Sequence, residues 1–446
     1  MNNIFKNLLI LSTTQKKRIQ KNALSGFSTE SLQILSQIFF APLMLFFWGP
    51  KDYGIWLFII SIPNIFLIFN INFQNAATQE IIINNEKKNY YKSNKIFQNS
   101  LFLNLINIFA ISIVVMIVYN LNLLDLSILD SFTYYQKKIV LILICGAVYL
   151  ELLNSTFNII IQSVGRVYIT FYTSAILDLF AKLFIALSGF YFDSLLYPAI
   201  IYFIFSTIKF LLLCFFSIKY KKHLSYSLQL ISKIEIVKIF KLSIGHSADI
   251  LNFLIKHSFT IFIMGLFIDP FLIGYVVTIK TIFYFLPTRF CGKIFHIFLF
   301  EFASLFSKNK ISLIKKNIFK FIKLIFFLLI IFITLSLTIG PYFYNTWTNF
   351  KYDLKIVFLC IIIFDASFFI MRKSIIIFFI SINRYVFLGT SDLIITSISC
   401  FCFYLMLLNN FSINFSFLIF AIGSLISLIF SSIYFFYCFK ILKVNK

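Results

Sequence analysis

Apolar stretches long enough to cross a membrane alternate with short polar segments along the whole chain. A membrane-spanning helix needs about 20 mostly apolar residues, and by this criterion about twelve segments can cross a bilayer. The pattern places them at about residues 25–48, 53–74, 97–119, 139–161, 168–190, 195–218, 243–268, 271–291, 319–343, 356–371, 385–408 and 415–439. We therefore expect an all-α polytopic membrane protein with about twelve transmembrane helices.

The seventh of these segments carries a row of polar residues. Within Gly245–His257, the residues Asp249, Asn252 and Lys256 are spaced i, i+3, i+7 and so share one face of a helix. An ionised side chain at the centre of a bilayer costs about 2.5–3.5 kcal/mol, so this face must meet protein or water. We interpret it as the lining of an aqueous cavity; the alternative is hydrogen bonding that only holds helices together.

A matching row of polar residues occurs in the first span. Glu30, Gln33 and Gln37 have the same spacing and stand 219 residues before the row in the seventh span. Further on, the segment Pro50–Gly54 is echoed by Pro270–Gly274. Many transporters are built from internal repeats whose corresponding helices carry the binding site. The sequence therefore predicts two six-helix repeats, each opening on a polar helix.

The repeat divides the chain into five parts. We expect a cytoplasmic amphipathic N-terminus at 1–24, an N-terminal six-helix lobe at 25–218, a basic cytoplasmic linker at 219–242, a C-terminal six-helix lobe at 243–440 and a cytoplasmic tail at 441–446. The linker is basic and partly amphipathic, which favours a helix that lies on the membrane surface.

The distribution of charge predicts the topology. The chain has 39 Lys and Arg against 16 Asp and Glu, a formal net charge of +23. Most basic residues, Arg372 and Lys373 among them, lie in alternate loops, whereas the loops around Asp193, Asp269 and Asn410 contain neither Lys nor Arg. By the positive-inside rule, both termini are cytoplasmic. Since the basic clusters lie between apolar spans, they indicate attraction to anionic lipid rather than nucleic-acid binding.

Composition and motifs exclude several classes of protein. Hydrophobic residues make up 60% of the chain and charged residues 12%, about half the charged fraction of a typical soluble protein. The seven cysteines form no CxxC pair, so neither a disulfide framework nor a metal site is expected. The sequence contains no phosphate-binding loop and no nucleophile elbow. We therefore expect neither a cofactor nor an enzyme.

Several cations lie inside the predicted spans. Lys280 is near the middle of the eighth span, and Lys256 with Arg289 and Lys293 extends this cationic set. Lys209, in the sixth span, can reach the membrane surface by snorkelling. A cation-lined cavity of low dielectric binds a multiply charged anion such as pyrophosphate strongly. The predicted substrate-cavity residues are Lys256, Lys280, Arg289, Lys293, His257, Gln33, Gln37 and Asn252.

Acidic residues inside the spans suggest sites for ion coupling or gating. Asp178 and Lys182 are spaced i, i+4, which permits either a self-neutralising ion pair or a site for a proton or coupling ion. Glu151 lies on the neighbouring span, so a carboxylate cluster with Asp178 and Glu30 is conceivable. Asp365 is the lone deep acid of the tenth span and a candidate partner for one of the lysines. The predicted coupling or gating residues are Glu30, Asp178, Lys182, Asp249, Glu151 and Asp365.

The segment Ser31–Pro63, SLQILSQIFFAPLMLFFWGPKDYGIWLFIISIP, resembles a known family. Its polar first helix, followed by an aromatic-Gly-Pro-x-x-Tyr-Gly-x-Trp turn, is similar to the O-antigen and capsular repeat-unit flippases of the multidrug/oligosaccharidyl-lipid/polysaccharide exporter superfamily. The twelve spans in two halves and the length of 446 residues also match that family.

The resemblance implies a V-shaped transporter of two lobes that works by alternating access in the bacterial inner membrane. It implies that undecaprenyl-diphosphate-linked oligosaccharide is accepted from the inner leaflet for O-antigen or another surface polysaccharide. A proton or sodium gradient would drive this step, and a polysaccharide polymerase and a chain-length regulator would be partners.

Three alternatives stay open. One is a scaffold subunit of an envelope assembly, which fits poorly with so many charged residues inside the spans. A multidrug cation antiporter of the same superfamily would favour an acid-rich, lysine-poor cavity. A membrane polysaccharide polymerase should have a large outside loop with clustered arginines, which this sequence lacks.

Overall fold

The computed structural model describes residues 13–66, 73–120, 133–192, 194–221, 223–307, 311–381 and 385–444. Residues 1–12 of the predicted N-terminus and 445–446 of the predicted tail lie outside these ranges. Within them the chain consists of helices joined by short connections and contains no β-strand. Helix occurs in every predicted span, so the prediction of an all-α polytopic membrane protein is confirmed.

The described helices follow one another closely along the chain. In the first half they are α1 (Thr13–Phe47), α2 (Gly49–Phe66), α3 (Phe73–Glu86), α4 (Tyr90–Asn120), α5 (Tyr134–Ser163), α6 (Val167–Tyr191) and α7 (Leu196–Tyr220). In the second half they are α8 (Lys233–Leu254), α9 (Thr260–Phe267), α10 (Pro270–Lys280), α11 (Leu286–Ser307), α12 (Ile311–Thr338), α13 (Gly340–Trp347), α14 (Ile356–Ser381), α15 (Val386–Leu408) and α16 (Ile413–Val444). Two π-helices, Ile255–Phe259 and Thr281–Phe285, join α8 to α9 and α10 to α11.

Length and apolar composition explain why these segments form helices. Ten described helical segments are long and apolar enough to cross a membrane. A bilayer offers no water to the backbone, and a helix satisfies its own N–H and C=O groups. α2 and α14 are not among the ten; α14 carries Asp365, Arg372 and Lys373 near its middle. The chain is a multi-pass membrane protein.

α14 is longer than the sequence predicts. The hydrophobic pattern ends the tenth span at Met371 and assigns Arg372 and Lys373 to a cytoplasmic loop, but the helix continues to Ser381. That assignment is wrong because Arg372 finds an acidic partner inside the protein. Its Nη1 lies 2.5 Å from Oδ2 of Asp392. A charge compensated in this way can be buried and needs no exposed loop.

The connection between the two halves also differs from the prediction. We expect a helix on the membrane surface, but residues 223–232 form turns and irregular structure, and α8 begins directly after them. Two side chains of α4 bind the backbone of this segment. Gln98 Oε1 accepts from Leu230 N at 2.8 Å, and Asn99 bonds to Leu230 O and Ser232 N at 3.0 and 2.8 Å. Backbone groups bound by side chains are satisfied without helical hydrogen bonds.

The described residues form two compact units. One consists of the described parts of residues 1–43 and 69–246, and the other of those of residues 44–68 and 247–446. α2 therefore packs within the second unit, although it belongs to the first half of the sequence.

α2 and α10 approach each other closely at two glycines of the second unit. A Cβ atom on Gly54 would lie 1.8 Å from the carbonyl oxygen of Pro270. A Cβ atom on Gly274 would lie 2.1 Å from the Tyr352 hydroxyl and 3.3 Å from the carbonyl oxygen of Pro50. The two Pro-x-x-x-Gly motifs that echo each other in sequence are thus in reciprocal contact. Glycine is needed here because a side chain would collide with the facing backbone or ring.

Candidate functional site

Lys256 lies in the first π-helix and binds polar groups from two other helices. Its Nζ donates to Asp365 Oδ1 of α14 at 3.1 Å and to Ser424 Oγ of α16 at 2.6 Å. Ser424 also makes a close hydrogen bond to Asp365. The side chains of Lys256 and Asp365 are 14% and 7% exposed. Together these three side chains form a buried ion-pair network.

Lys280 reaches the same place from the end of α10. Its Nζ donates to the carbonyl oxygen of Lys256 at 2.8 Å, and the residue is buried. The second π-helix starts directly after Lys280. Single-turn π-helices interrupt the regular α-helical bonding and often mark functional sites. Both lysines therefore stand where a π-helix interrupts a transmembrane helix.

A cavity of about 290 Å³ opens beside these two lysines. Its lining residues are Asn252, Phe253, Lys256, His257, Lys280, Tyr284, Phe285, Thr288, Arg289, Phe369 and Lys373. Among these described lining residues four are cationic and none is acidic. The cavity lies within the second unit.

The apolar walls of the cavity are aromatic. The Nζ of Lys256 lies 5.6 Å from the ring centre of Phe369, and that of Lys280 lies 5.9 Å from the ring centre of Tyr284. Lys373 Nζ lies 5.6 Å from the same Phe369 ring. The faces of these rings attract cations and exclude water. Charges in such surroundings act more strongly on a bound anion than they would in water.

A second buried ion pair lies behind the cavity. Asp392 of α15 contacts Nη1 of Arg372 at 2.5 Å, and it accepts from Asn252 Nδ2 at 2.6 Å and from Ser427 Oγ at 2.7 Å. Arg372 is 1% exposed, and its nitrogens make no hydrogen bond within the described part of the chain. The ion pair with Asp392 is thus the contact that compensates its charge. Asn252 connects this pair to the cavity that it also lines.

The structure brings together most of the residues predicted to form the substrate cavity. Asn252, Lys256, His257, Lys280 and Arg289 all line it. The Nδ1 atom of His257 is buried and has no hydrogen-bond partner among the described residues. The side chain of Lys293 lies outside the described residues.

The predicted glutamines are elsewhere. Gln33 and Gln37 are half-buried on α1 in the first unit, and they are not among the described residues that line this cavity.

The acidic residues of the first unit gather around a lysine. Lys209 Nζ lies 3.1 Å from Glu151 Oε1 and 3.5 Å from Asp178 Oδ1. Asn154 donates to the other oxygen of Glu151 at 3.1 Å. Lys209 is 7% exposed, so it is not a snorkelling residue. The structure thus joins Glu151 and Asp178 through Lys209, a cation for which the sequence permits snorkelling to the membrane surface.

The remaining residues predicted to serve coupling or gating are not part of the cluster around Lys209. Lys182 donates to Ser36 Oγ of α1 at 3.0 Å, at the edge of an apolar cavity of about 270 Å³. Glu30 is half-buried on α1. The side chain of Asp249 lies outside the described residues.

Sequence reasoning missed three charged residues of the second unit's site, as well as the serines and aromatic residues around them. Lys373 lines the cavity, and Arg372 with Asp392 forms the ion pair behind it. The adjacent pair Arg372-Lys373 looks like a positive-inside loop, which conceals its position within a helix. Asp392 carries a signal that could have identified it, because an acidic residue within an apolar span is expected to have a partner.

Solved structures share this fold. No protein-family model and no curated protein sequence matches the chain. The chain is similar to an inward-facing multidrug resistance MATE family transporter of the MOP superfamily, at 12% identity and a TM-score of 0.63, covering 94% of this chain and 96% of that one. It is similar to the lipid II flippase MurJ in an inward closed conformation, at 15% identity and a TM-score of 0.60, covering 92% and 86%.

A third similar structure is the Vibrio cholerae MATE transporter VcmN in its bent form. It is 10% identical with a TM-score of 0.59, and the match covers 95% of this chain and 97% of that one. The chain therefore has the fold of MOP-superfamily transporters. The proteins that share it are transporters and a flippase, and none of those named is an enzyme.

Proposed function

We propose that this protein flips undecaprenyl-diphosphate-linked oligosaccharide across the bacterial inner membrane by alternating access. The oligosaccharide would serve the synthesis of O-antigen or another surface polysaccharide. The observation that carries the proposal is the cavity lined by Lys256, Lys280, Arg289 and Lys373, whose described lining residues include no acid.

The chemistry of a diphosphate fits this cavity. Its two phosphoryl groups share several negative charges and many acceptor oxygens, and ammonium and guanidinium groups supply matching donors. Lys256 and Lys280 would hold one phosphoryl group, and Arg289 and Lys373 the other. One neighbour of known structure, MurJ, is a lipid II flippase, which makes a lipid-linked substrate compatible with this fold.

The acids and lysines of the first unit would serve coupling or gating. Lys209 stands between Glu151 and Asp178, both about half-exposed. Uptake of a proton or a cation by either carboxylate would weaken its attraction to Lys209 and so favour another arrangement of the helices. Glu30, Lys182, Asp249 and Asp365 would contribute to the same change. The step needs no covalent chemistry.

A multidrug cation antiporter is the competing proposal, since MATE transporters share the fold. A cationic drug would require an acidic binding surface. The cavity of the second unit has the opposite charge, whereas Glu151 and Asp178 offer carboxylates in the first. The two functions therefore differ in which unit holds the substrate.

Complementation in a strain that lacks the gene tests the proposal. We expect loss of surface polysaccharide together with accumulation of lipid-linked single repeat units, both reversed by the wild-type gene. Lys256→Ala and Lys280→Met should lower surface polysaccharide at least about tenfold, a loss of about 1.4 kcal/mol of binding. Protein levels in the membrane are measured by immunoblot in parallel.

A matched control is Lys351→Met, which removes an exposed lysine from the connection after α13 and should complement fully.

Normal polysaccharide in the deletion strain would contradict the proposal, and added drug sensitivity there would favour the antiporter. Repeat units that reach the outer leaflet but stay unpolymerised would indicate a polymerase. Full complementation by Lys280→Met would indicate a scaffold.

A further inference from the structure

Asp365 is the internal counter-ion of the cationic cavity. It does not line the cavity, but it contacts the Nζ of Lys256 at 3.1 Å from behind. Ser424 bonds to both partners and holds them in place. The other buried lysine, Lys280, binds a carbonyl oxygen rather than a carboxylate. Lys256 is therefore the cavity cation that this carboxylate contacts directly, while its charge also acts on the neighbouring Lys280.

The contact between Asp365 and Lys256 is one that an anionic ligand could replace. A buried ammonium group needs a negative partner, and leaving one unpaired in a low dielectric costs several kcal/mol. In this structure Asp365 supplies that partner, with a single oxygen, Oδ1, bonded to both Lys256 and Ser424. Lys256 also lines the cavity, so a turn of its ammonium group away from Asp365 would present it to a ligand there. One phosphoryl oxygen there would offer the same type of contact as the carboxylate.

We propose that Asp365 occupies, in the empty transporter, the position on Lys256 that the anionic group of the substrate takes in the loaded one. The inference rests on the proposed function, since it assumes that the cavity binds a phosphorylated lipid. When the anion enters, Lys256 turns from Asp365 to the ligand, and Asp365 keeps its bond to Ser424. Asp365 is thus a residue that sets specificity by competing with the ligand.

The competition explains how a cationic cavity can discriminate among anions. A small monovalent anion would replace one ionic contact of Lys256 by another and gain little. A diphosphate engages Lys280, Arg289 and Lys373 at the same time, and these additional contacts outweigh the lost contact with Asp365. In the empty cavity Asp365 in turn compensates the charge of Lys256, which lowers the electrostatic penalty of the unloaded state.

A double-mutant cycle on the purified full-length protein tests this inference. The probe is inorganic pyrophosphate, and its dissociation constant is measured by isothermal titration calorimetry at fixed salt concentration. Asp365→Asn keeps the shape of the side chain and removes its charge, so Lys256 is free for the probe. We expect affinity at least about tenfold higher than in the wild type. In a Lys256→Met background, the same substitution should change affinity less than about twofold.

Ser424→Ala provides a second variant that keeps every charge. It removes the hydroxyl that joins Asp365 to Lys256, and we expect affinity about two- to threefold above the wild type. Ser424→Ala also tests the inference if Asp365→Asn fails to fold. Thermal melting and gel filtration would show such a failure.

Three results would overturn the inference. Affinity could be unchanged or lower in both Asp365→Asn and Ser424→Ala. Asp365→Asn could raise affinity equally with and without Lys256, in which case Asp365 acts only through the overall charge. Pyrophosphate could fail to bind to the wild type and to the variants alike.

These results can be told apart from failure of the proposed function. The inference can be wrong while complementation still shows flipping. Conversely, pyrophosphate binding with the expected cycle, together with normal surface polysaccharide in the deletion strain, would retain the competition and reject the proposed substrate.

Discussion

Arg372 is a fully buried cation, and its acidic partner in the described part of the chain is Asp392. Its nitrogens lie within the protein without hydrogen bonds in the described part of the chain, and Asp392 at 2.5 Å is its ionic partner. Asp392 is in turn held by Asn252 and Ser427. Removing one partner of a buried ion pair leaves the other charge uncompensated, and this is more harmful than removing both.

We expect Arg372→Met to destabilise the protein by about 3–5 kcal/mol, because Asp392 then remains buried and ionised. The measurement is the melting temperature of the purified protein in detergent. The double substitution Arg372→Met with Asp392→Leu should restore a large part of the loss. Lys351→Met, at an exposed position, is the control and should melt like the wild type. A single variant as stable as the wild type would show that the pair does not stabilise the fold.

At the residue scale, the sequence predicts candidates but not their partners. The i, i+4 spacing of Asn252 and Lys256 places both on one face, and both line the cavity. Their acidic partners are 140 and 109 residues away, on α15 and α14. Helical periodicity carries information about neighbours within one helix and none about contacts between helices. For the same reason, the sequence could not show that Lys209 lies between Glu151 and Asp178.

At the element scale, the close contact of α2 with α10 depends on two glycines. Gly54 lies against the backbone of Pro270, whereas Gly274 lies against the end of the Tyr352 side chain. Backbone cannot move aside without displacing a helix, but a hydroxyl can be removed. The two positions should therefore respond differently to the same substitution.

We expect Gly274→Ala to lower the melting temperature, and Tyr352→Phe to restore much of the loss because it removes the atom 2.1 Å from the added Cβ. Gly54→Ala should be at least as harmful, and Tyr352→Phe should not rescue it. Gly292→Ala is a matched control, since no atom lies within 4 Å of a Cβ at that position. Equal rescue of both variants by Tyr352→Phe would contradict this account.

The helices themselves could be predicted, but their irregularities could not. Spans of about 20 apolar residues have one stable conformation in a bilayer, which makes the periodic pattern reliable. The π-helices at Ile255–Phe259 and Thr281–Phe285 have no local sequence signal that we could read. The segment 223–232 is irregular because side chains of a different helix bind its backbone. These features depend on tertiary contacts, which override local preference.

On the scale of the whole molecule, charge rather than hydrophobicity predicts orientation. The connection between α15 and α16, around Asn410, contains no Lys or Arg, whereas Lys440, Lys443 and Lys446 lie at the end of the chain. The positive-inside rule places the first outside and the second inside.

Reporter fusions measure this orientation. We expect alkaline phosphatase fused after Asn410 to be active and the same enzyme fused after Lys446 to be inactive, because it folds only outside the cytoplasm. A green fluorescent protein fused after Lys446 should fluoresce. The reverse pattern would show that the chain has the opposite orientation.

The reciprocal contact of the two Pro-x-x-x-Gly motifs bears on the ancestry of the chain. In a two-fold symmetric dimer, residue i of one copy touches residue j of the other, and j touches i in return. Gly54 beside Pro270 and Gly274 beside Pro50 reproduce this arrangement within one polypeptide. Two half-length subunits would make the same contact, so a fused gene would inherit it already formed. The two contacts are not identical, because Gly274 meets Tyr352, whereas the three atoms nearest to Gly54 all belong to the main chain of Pro270.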